Sequence, residues 1–162
     1  MTKKKSILSL ILAICLIVPA MFIMTACGNK PISEKGKTYT VLNKQSDITI
    51  NWGDDKETLM EEVGSEENAK AMCSTFILTF DENGGVNLSI GGESDGGRFY
   101  VINEYNCIEF YNTKEDAENK LNRVTDDYLG AEYKFSADKR VITIKQQISA
   151  KTSVVIKLSA NV

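Results

Sequence analysis

Phe76-Ile77-Leu78-Thr79-Phe80-Asp81-Glu82-Asn83-Gly84-Gly85-Val86-Asn87-Leu88-Ser89-Ile90 carries the clearest pattern in this 162-residue chain. Phe76, Leu78 and Phe80 occupy one face at a spacing of two, and Val86, Leu88 and Ile90 return at the same spacing. Between them Asn83-Gly84-Gly85 supplies residues that accept the positive φ angles of a tight turn. Alternation on both sides of such a turn predicts an antiparallel hairpin with one buried face.

The same period extends in both directions. Upstream, Tyr39 and Val41 share a face, and Ile48, Ile50 and Trp52 follow a polar break at 43–47. The period then changes. Asp54 with Glu57 reads as a capping box, and Leu59, Met60, Val63, Met72 and Cys73 follow at helical spacing. Gly64-Ser65 divides this insert into two short helices, the second capped by Ser65. Downstream, alternation resumes at Phe99 and Val101, Ile108 and Phe110, Tyr133 and Phe135, Ile142 and Ile144, and finally Val154, Ile156 and Leu158. The glycine-rich run 91–97 lacks the Lys-Ser/Thr ending of a phosphate-binding loop and reads as a flexible hairpin connection. Residues 113–129 fit a short exposed helix capped by Thr113 or a long loop equally well. Eight or nine antiparallel strands with a helical insert after the second predict a mainly β fold. A flat sheet of that size would expose a wide apolar face and two open edges, so an up-and-down barrel is expected, with a two-sheet sandwich as the alternative.

Composition removes several chemistries. The chain contains no histidine, which excludes His-based triads and the usual zinc sites. Asp54, Asp55, Glu57, Glu61, Glu62, Glu66 and Glu67 fall in one helical segment and read as its charged outer face. Asp81, Glu82 and Asn83, or Asp126 and Asp127, offer oxygen ligands but lack the spacing of a calcium loop. The first cluster reads as a turn. Arg98 beside Phe99 and Tyr100 reads as an exposed strand arginine, or as a partner for an anionic ligand group. Neither a catalytic pair nor a cofactor fingerprint emerges, and a non-enzymatic role without cofactor or metal is expected.

The N-terminus has the parts of an export signal: Lys3, Lys4 and Lys5, an apolar run from Ile7 to Met24, and the small pair Thr25-Ala26 before Cys27. The run is long enough to span a bilayer as an uncleaved helix, but Pro19 and the small residues favour cleavage. Phe22-Ile23-Met24-Thr25-Ala26-Cys27-Gly28-Asn29 resembles the lipobox of bacterial lipoprotein precursors. That resemblance implies a signal peptide at 1–26, a diacylglyceryl anchor on Cys27, a polar tether to residue 36 and a folded domain over 37–162. Localisation on the outer face of the plasma membrane follows. Two acyl chains hold far better than one, at ~0.8 kcal/mol per buried CH₂. Three of the 19 basic residues and none of the 22 acidic ones lie in the leader, so the remainder carries −6. Such a balance argues against nucleic acid as a partner. Cys73 and Cys107 remain as a pair that could be bridged or free.

Gly36-Lys37-Thr38-Tyr39 opening a strand, Trp52-Gly53-Asp54-Asp55 before an acidic helix, the Asp-Glu-Asn-Gly turn at 81–84, and Ser136-Ala137-Asp138-Lys139 before Ile142-Thr143-Ile144 resemble small lipocalin-like lipoproteins of Gram-positive bacteria. The resemblance implies a binding module. A barrel interior lined by Tyr39, Trp52, Phe76, Phe80, Phe99, Phe110 and Tyr133 would hold a small apolar or amphipathic molecule such as a fatty acid. In the alternative, the same aromatics fill the core and the outer surface contacts another envelope protein.

Overall fold

The computed structural model describes residues 30–125 and 127–161. The expectations for the leader, Cys27 and Asp126 therefore fall outside the described residues. Pro31–Val162 forms one compact unit, built on a single strongly curled antiparallel sheet of ten strands. The strands are β1 Thr38–Thr40, β2 Ile48–Asn51, β3 Ile77–Phe80, β4 Gly85–Ile90, β5 Glu93–Ile102, β6 Ile108–Tyr111, β7 Arg123–Val124, β8 Glu132–Phe135, β9 Val141–Gln147 and β10 Ser153–Ala160. The helices are α1 Lys56–Val63, α2 Glu66–Cys73 and α3 Lys114–Asn119. The barrel-like expectation holds, and one sheet replaces the two of a sandwich.

The strand order is β7-β6-β5-β4-β3-β1-β10-β9-β8, with β2 also paired to β10. Tyr39 pairs with Ala160, and Ile50 pairs with Val154, both antiparallel. β1 and β2 therefore run in the same direction along one edge of β10, as two halves of a strand interrupted by a loop. β1 alone is also paired to β3. At the other extreme the sheet curls until Lys134 of β8 bridges Cys107, just before β6, and the Phe135 N–H donates to the Asn106 carbonyl at 2.9 Å. That narrow seam brings the two ends of the sheet together.

The inner face is filled by the residues whose alternation marked the strands: Tyr39, Ile48, Leu78, Phe80, Leu88, Ile108, Phe110, Tyr133, Phe135, Ile142, Ile144, Ile156 and Leu158 are all buried. β5 departs from the sequence reading in two ways. Its ladder begins at Glu93, immediately after a two-residue Gly91-Gly92 turn, so most of the glycine-rich run is strand and not connection. Its register against β4 also shifts between Val86 and Leu88, where Gly96 and Gly97 together oppose Asn87. Gly97 takes φ +83°, a backbone conformation that a side chain would oppose. One extra residue exchanges the two faces of everything beyond it. Tyr100 and Ile102 consequently pack against the core in place of Phe99 and Val101.

The helical insert forms as two helices, and Ser65 caps α2 by accepting the Asn68 N–H at 3.1 Å. The capping box at α1 is not made: Asp55 is the N-cap and its side chain takes no helix N–H. Residues 113–129 contain α3, capped through the Thr113 hydroxyl, then β7 and the start of a 3₁₀ turn.

Candidate functional site

The seven aromatic positions divide into three groups. Tyr39, Phe76, Phe80, Phe110 and Tyr133 are buried. Tyr39 meets Phe80 edge to face at 5.6 Å between ring centroids, and Phe110 meets Tyr133 at 4.9 Å. Tyr100 replaces Phe99 in this set, with its ring 4.7 Å from Phe80. These rings touch one another, as close-packed core aromatics do. Phe99 stands on the opposite face of β5, paired with Tyr111 of β6. Trp52 lies half-buried just beyond β2, apart from the ring cluster.

At the end of the barrel marked by Tyr39 and Phe80, the core is closed by a residue the sequence offered as tether. Glu34 is only 8 % exposed. Its carboxylate accepts from Lys139 Nζ at 2.6 Å and from the Tyr100 hydroxyl at 3.3 Å. The Ile32 N–H also donates to the Asp138 carbonyl at 3.0 Å, docking the segment on the β8–β9 turn. Burial pushes the Glu34 carboxyl up, but the Lys139 hydrogen bond, a local backbone hydrogen bond, the Lys139 charge and the Tyr100 hydrogen bond together hold the group below its usual range. Tyr39, whose hydroxyl donates to the Lys139 carbonyl at 2.7 Å, is pushed up to about 12 by burial and by the Glu34 and Asp138 charges. A run of small polar residues gives no sign that one carboxylate among them turns inward.

The other end is different. Beyond Ile50 and Val154, where β2 ends and β10 begins, a groove of about 190 Å³ runs between the sheet and the helix pair. Its walls are Ile50, Trp52, Leu59, Val63, Ala69, Met72, Cys73, Ile148, Thr152 and Val154. Leu59 and Val63 are one helical turn apart on α1, and Ala69, Met72 and Cys73 recur at the same spacing on α2. Both helices thus turn their sparse apolar stripe towards the groove. Met72 is 63 % and Ile148 49 % exposed, so the lining continues to the surface. The Cys73 thiol is free, and burial pushes its pKa up, which suits a wall residue better than a reactive one. Cys107 is also unbridged.

Thr152 fixes the groove's frame. Its buried hydroxyl donates to Asp55 Oδ1 at 2.6 Å and accepts the Gly53 N–H at 2.9 Å, tying the β9–β10 turn to the start of α1. Gly53 passes so close to the Lys151 backbone that a Cβ would collide with it. On the facing side, the Trp52 indole N–H donates to Glu66 Oε2 at 3.2 Å. Both carboxyls sit below the usual range, Asp55 through hydrogen bonds from Ser149 and Thr152, Glu66 through those from Trp52 and Lys70. Of the acidic segment, Asp55 and Glu66 are thus engaged, whereas Glu57, Glu61 and Glu62 are exposed.

Two further candidates, Asp81 and Arg98, have structural partners. Asp81 accepts the Asn83 and Gly85 N–H groups at 2.7 Å each, as the turn reading requires. Arg98 lies on the inner face with its guanidinium on Asp95, at 3.1 Å, and on Asn112. Among the described residues, no three acidic or cysteine side chains group as a metal site would need. No helix among them is long and apolar enough to cross a membrane. Compared with known proteins, the chain matches no family model, no curated protein and no solved structure.

Proposed function

We propose that this chain is a lipid-anchored, extracytoplasmic binding module without catalytic activity, which takes the apolar part of a small amphipathic molecule into the groove beside Trp52. The observation that carries this reading is the groove itself: apolar on both walls, framed by hydrogen bonds, and open to solvent at Met72 and Ile148. Its volume is below the ~300 Å³ at which pockets begin to enclose a whole drug-sized ligand. An alkyl tail or a single ring suits it better than an entire lipid. The Cys27 anchor rests on the leader sequence.

Trp52 is the chain's only tryptophan and lines the groove, so its fluorescence reports occupancy directly. Titrating the full chain with n-decanol should shift Trp52 emission saturably, and Ala69→Phe, which fills the groove, should abolish the shift. An unchanged spectrum with decanol would reject the reading. For the anchor, the intact mass of chain extracted from a bacterial membrane should correspond to a start at Cys27 plus acyl groups, and Cys27→Ala should remove them. A chain still beginning at Met1 would refute it.

The contact between Phe110 and Tyr133, and between Tyr39 and Phe80, favours a second reading, in which the barrel is a filled scaffold whose outer surface meets an envelope protein. It predicts no decanol response, so the same titration separates the two.

A further inference from the structure

The groove is apolar, but its rim is not neutral. The segment from Asp54 to Glu67 carries seven carboxylates and a single lysine, Lys56. Three of the seven are matched: Asp54 by Lys151, Glu66 by Lys70 at 3.2 Å and Glu67 by Lys44 at 2.8 Å. Asp55, Glu57, Glu61 and Glu62 enter no salt bridge among the described residues. Two carboxylates are placed by the groove walls themselves, since Asp55 accepts from Thr152 and Glu66 accepts from Trp52. A third observation concerns the Trp52 ring. Lys56 Nζ stands 5.7 Å from its centroid, a position in which the ring face attracts a cation. Lys56 is exposed and its stem is flexible, so a bound cation could replace it there at little cost.

Resting on the groove reading above, we infer that the preferred ligand is an amphiphile with a short apolar tail and a cationic head, the tail lying between the helices and β2–β10 and the head at the Trp52 rim between Asp55 and Glu66. An anionic head would meet Asp55, which has no salt-bridge partner among the described residues, and a helical segment whose Glu57, Glu61 and Glu62 are likewise unpaired. A fatty acid, although apolar enough, is therefore the poorer fit.

The test compares three ten-carbon probes on the full chain by Trp52 fluorescence, each below its micelle-forming concentration: decyltrimethylammonium, n-decanol and decanoate. The expected order is cation, neutral, anion, with the cation about tenfold tighter than decanoate at low salt and the gap narrowing as salt is raised. Asp55→Asn with Glu66→Gln keeps an acceptor for Thr152 and Trp52 while removing both charges, and should bring the ratio close to one. Equal affinities, or tighter binding of decanoate, would overturn the head-group assignment while decanol binding left the groove reading standing. A tenfold preference that survives the double substitution would overturn the placement of the head. If none of the three probes binds, the groove reading fails, and this inference fails with it.

Discussion

The two ends of the barrel are finished in opposite ways. Along β10 the positions that mark them, Val154 and Ala160, lie six residues apart, about 20 Å at the rise of a strand. At the Ala160 end, aromatic rings in mutual contact are covered by a carboxylate with a lysine and a tyrosine on it. At the Val154 end, two short helices with no fully buried residue lean over an apolar groove. The lesson lies in how each region satisfies its side chains. Glu34 and Lys139 complete each other internally and leave nothing to recruit, whereas Met72 and Ile148 remain exposed although apolar. A fold that can seal one end with a single inward glutamate has the means to seal both.

Breaking the sealed end should have the largest effect. Phe80→Ala removes a fully buried ring that touches Tyr39, Tyr100 and Phe135, and should cost about 4 kcal/mol in urea unfolding. Glu34→Ala leaves the Lys139 ammonium and the Tyr100 hydroxyl short of an acceptor, and about 2 kcal/mol should be lost. Thr152→Val strips two part-buried hydrogen bonds from the frame of the open end and should cost a similar amount, about 2 kcal/mol. It should also disturb Trp52 emission, which Glu34→Ala should leave alone. If Glu34→Ala perturbs Trp52 as strongly, the two ends are not independent. Met72→Ser, at the open lip, should change stability by less than about 0.5 kcal/mol.

The sealed end should also reveal itself through pH. The Glu34 carboxyl titrates below its ordinary value of 4.5 in the fold, so its contribution is fully present above that value and is lost as pH falls through the lower folded one. Glu34→Gln should flatten the acid limb of the stability curve below about pH 4.5, and an unaltered limb would show that other carboxylates control it. On the alkaline side Tyr39 is raised, so its contribution is intact below about 10 and lost as pH rises through about 12. Tyrosinate absorbance should accordingly lag behind that of free tyrosine until the protein unfolds.

Much of this architecture could be read from the chain because alternation reports burial directly. Leu78 and Phe80, Val86 and Leu88, Ile142 and Ile144, and Ile156 and Leu158 all fall on the inner face as their spacing requires. The reading fails where one backbone residue alters the phase. Phe99 and Val101 look as inward as any pair, but the extra residue at Gly96-Gly97 turns them out and Tyr100 and Ile102 in. Hydrophobicity carries no record of a bulge. Glu34 escaped for a related reason: a glutamate among polar residues looks solvated, and its partners Tyr100 and Lys139 lie 66 and 105 positions away. The groove was half legible. Its helices and Trp52 were apparent, but their meeting with Ile148, Thr152 and Val154 depends on β2 lying along the start of β10.

The position of β1 also bears on the order in which the molecule assembles. β3 to β7 form one run of sequential hairpins and β8 to β10 another, and each can form from neighbouring sequence as it emerges. Apart from the narrow seam at Cys107 and Lys134, these runs are joined by a strand from the beginning of the domain pressed against the last strand, with Tyr39 opposite Ala160. Pairings so distant along the chain are slow to find. The barrel therefore stays unlaced until its final strand is available, and a chain handed across a membrane from its N-terminus would complete its fold only on arrival.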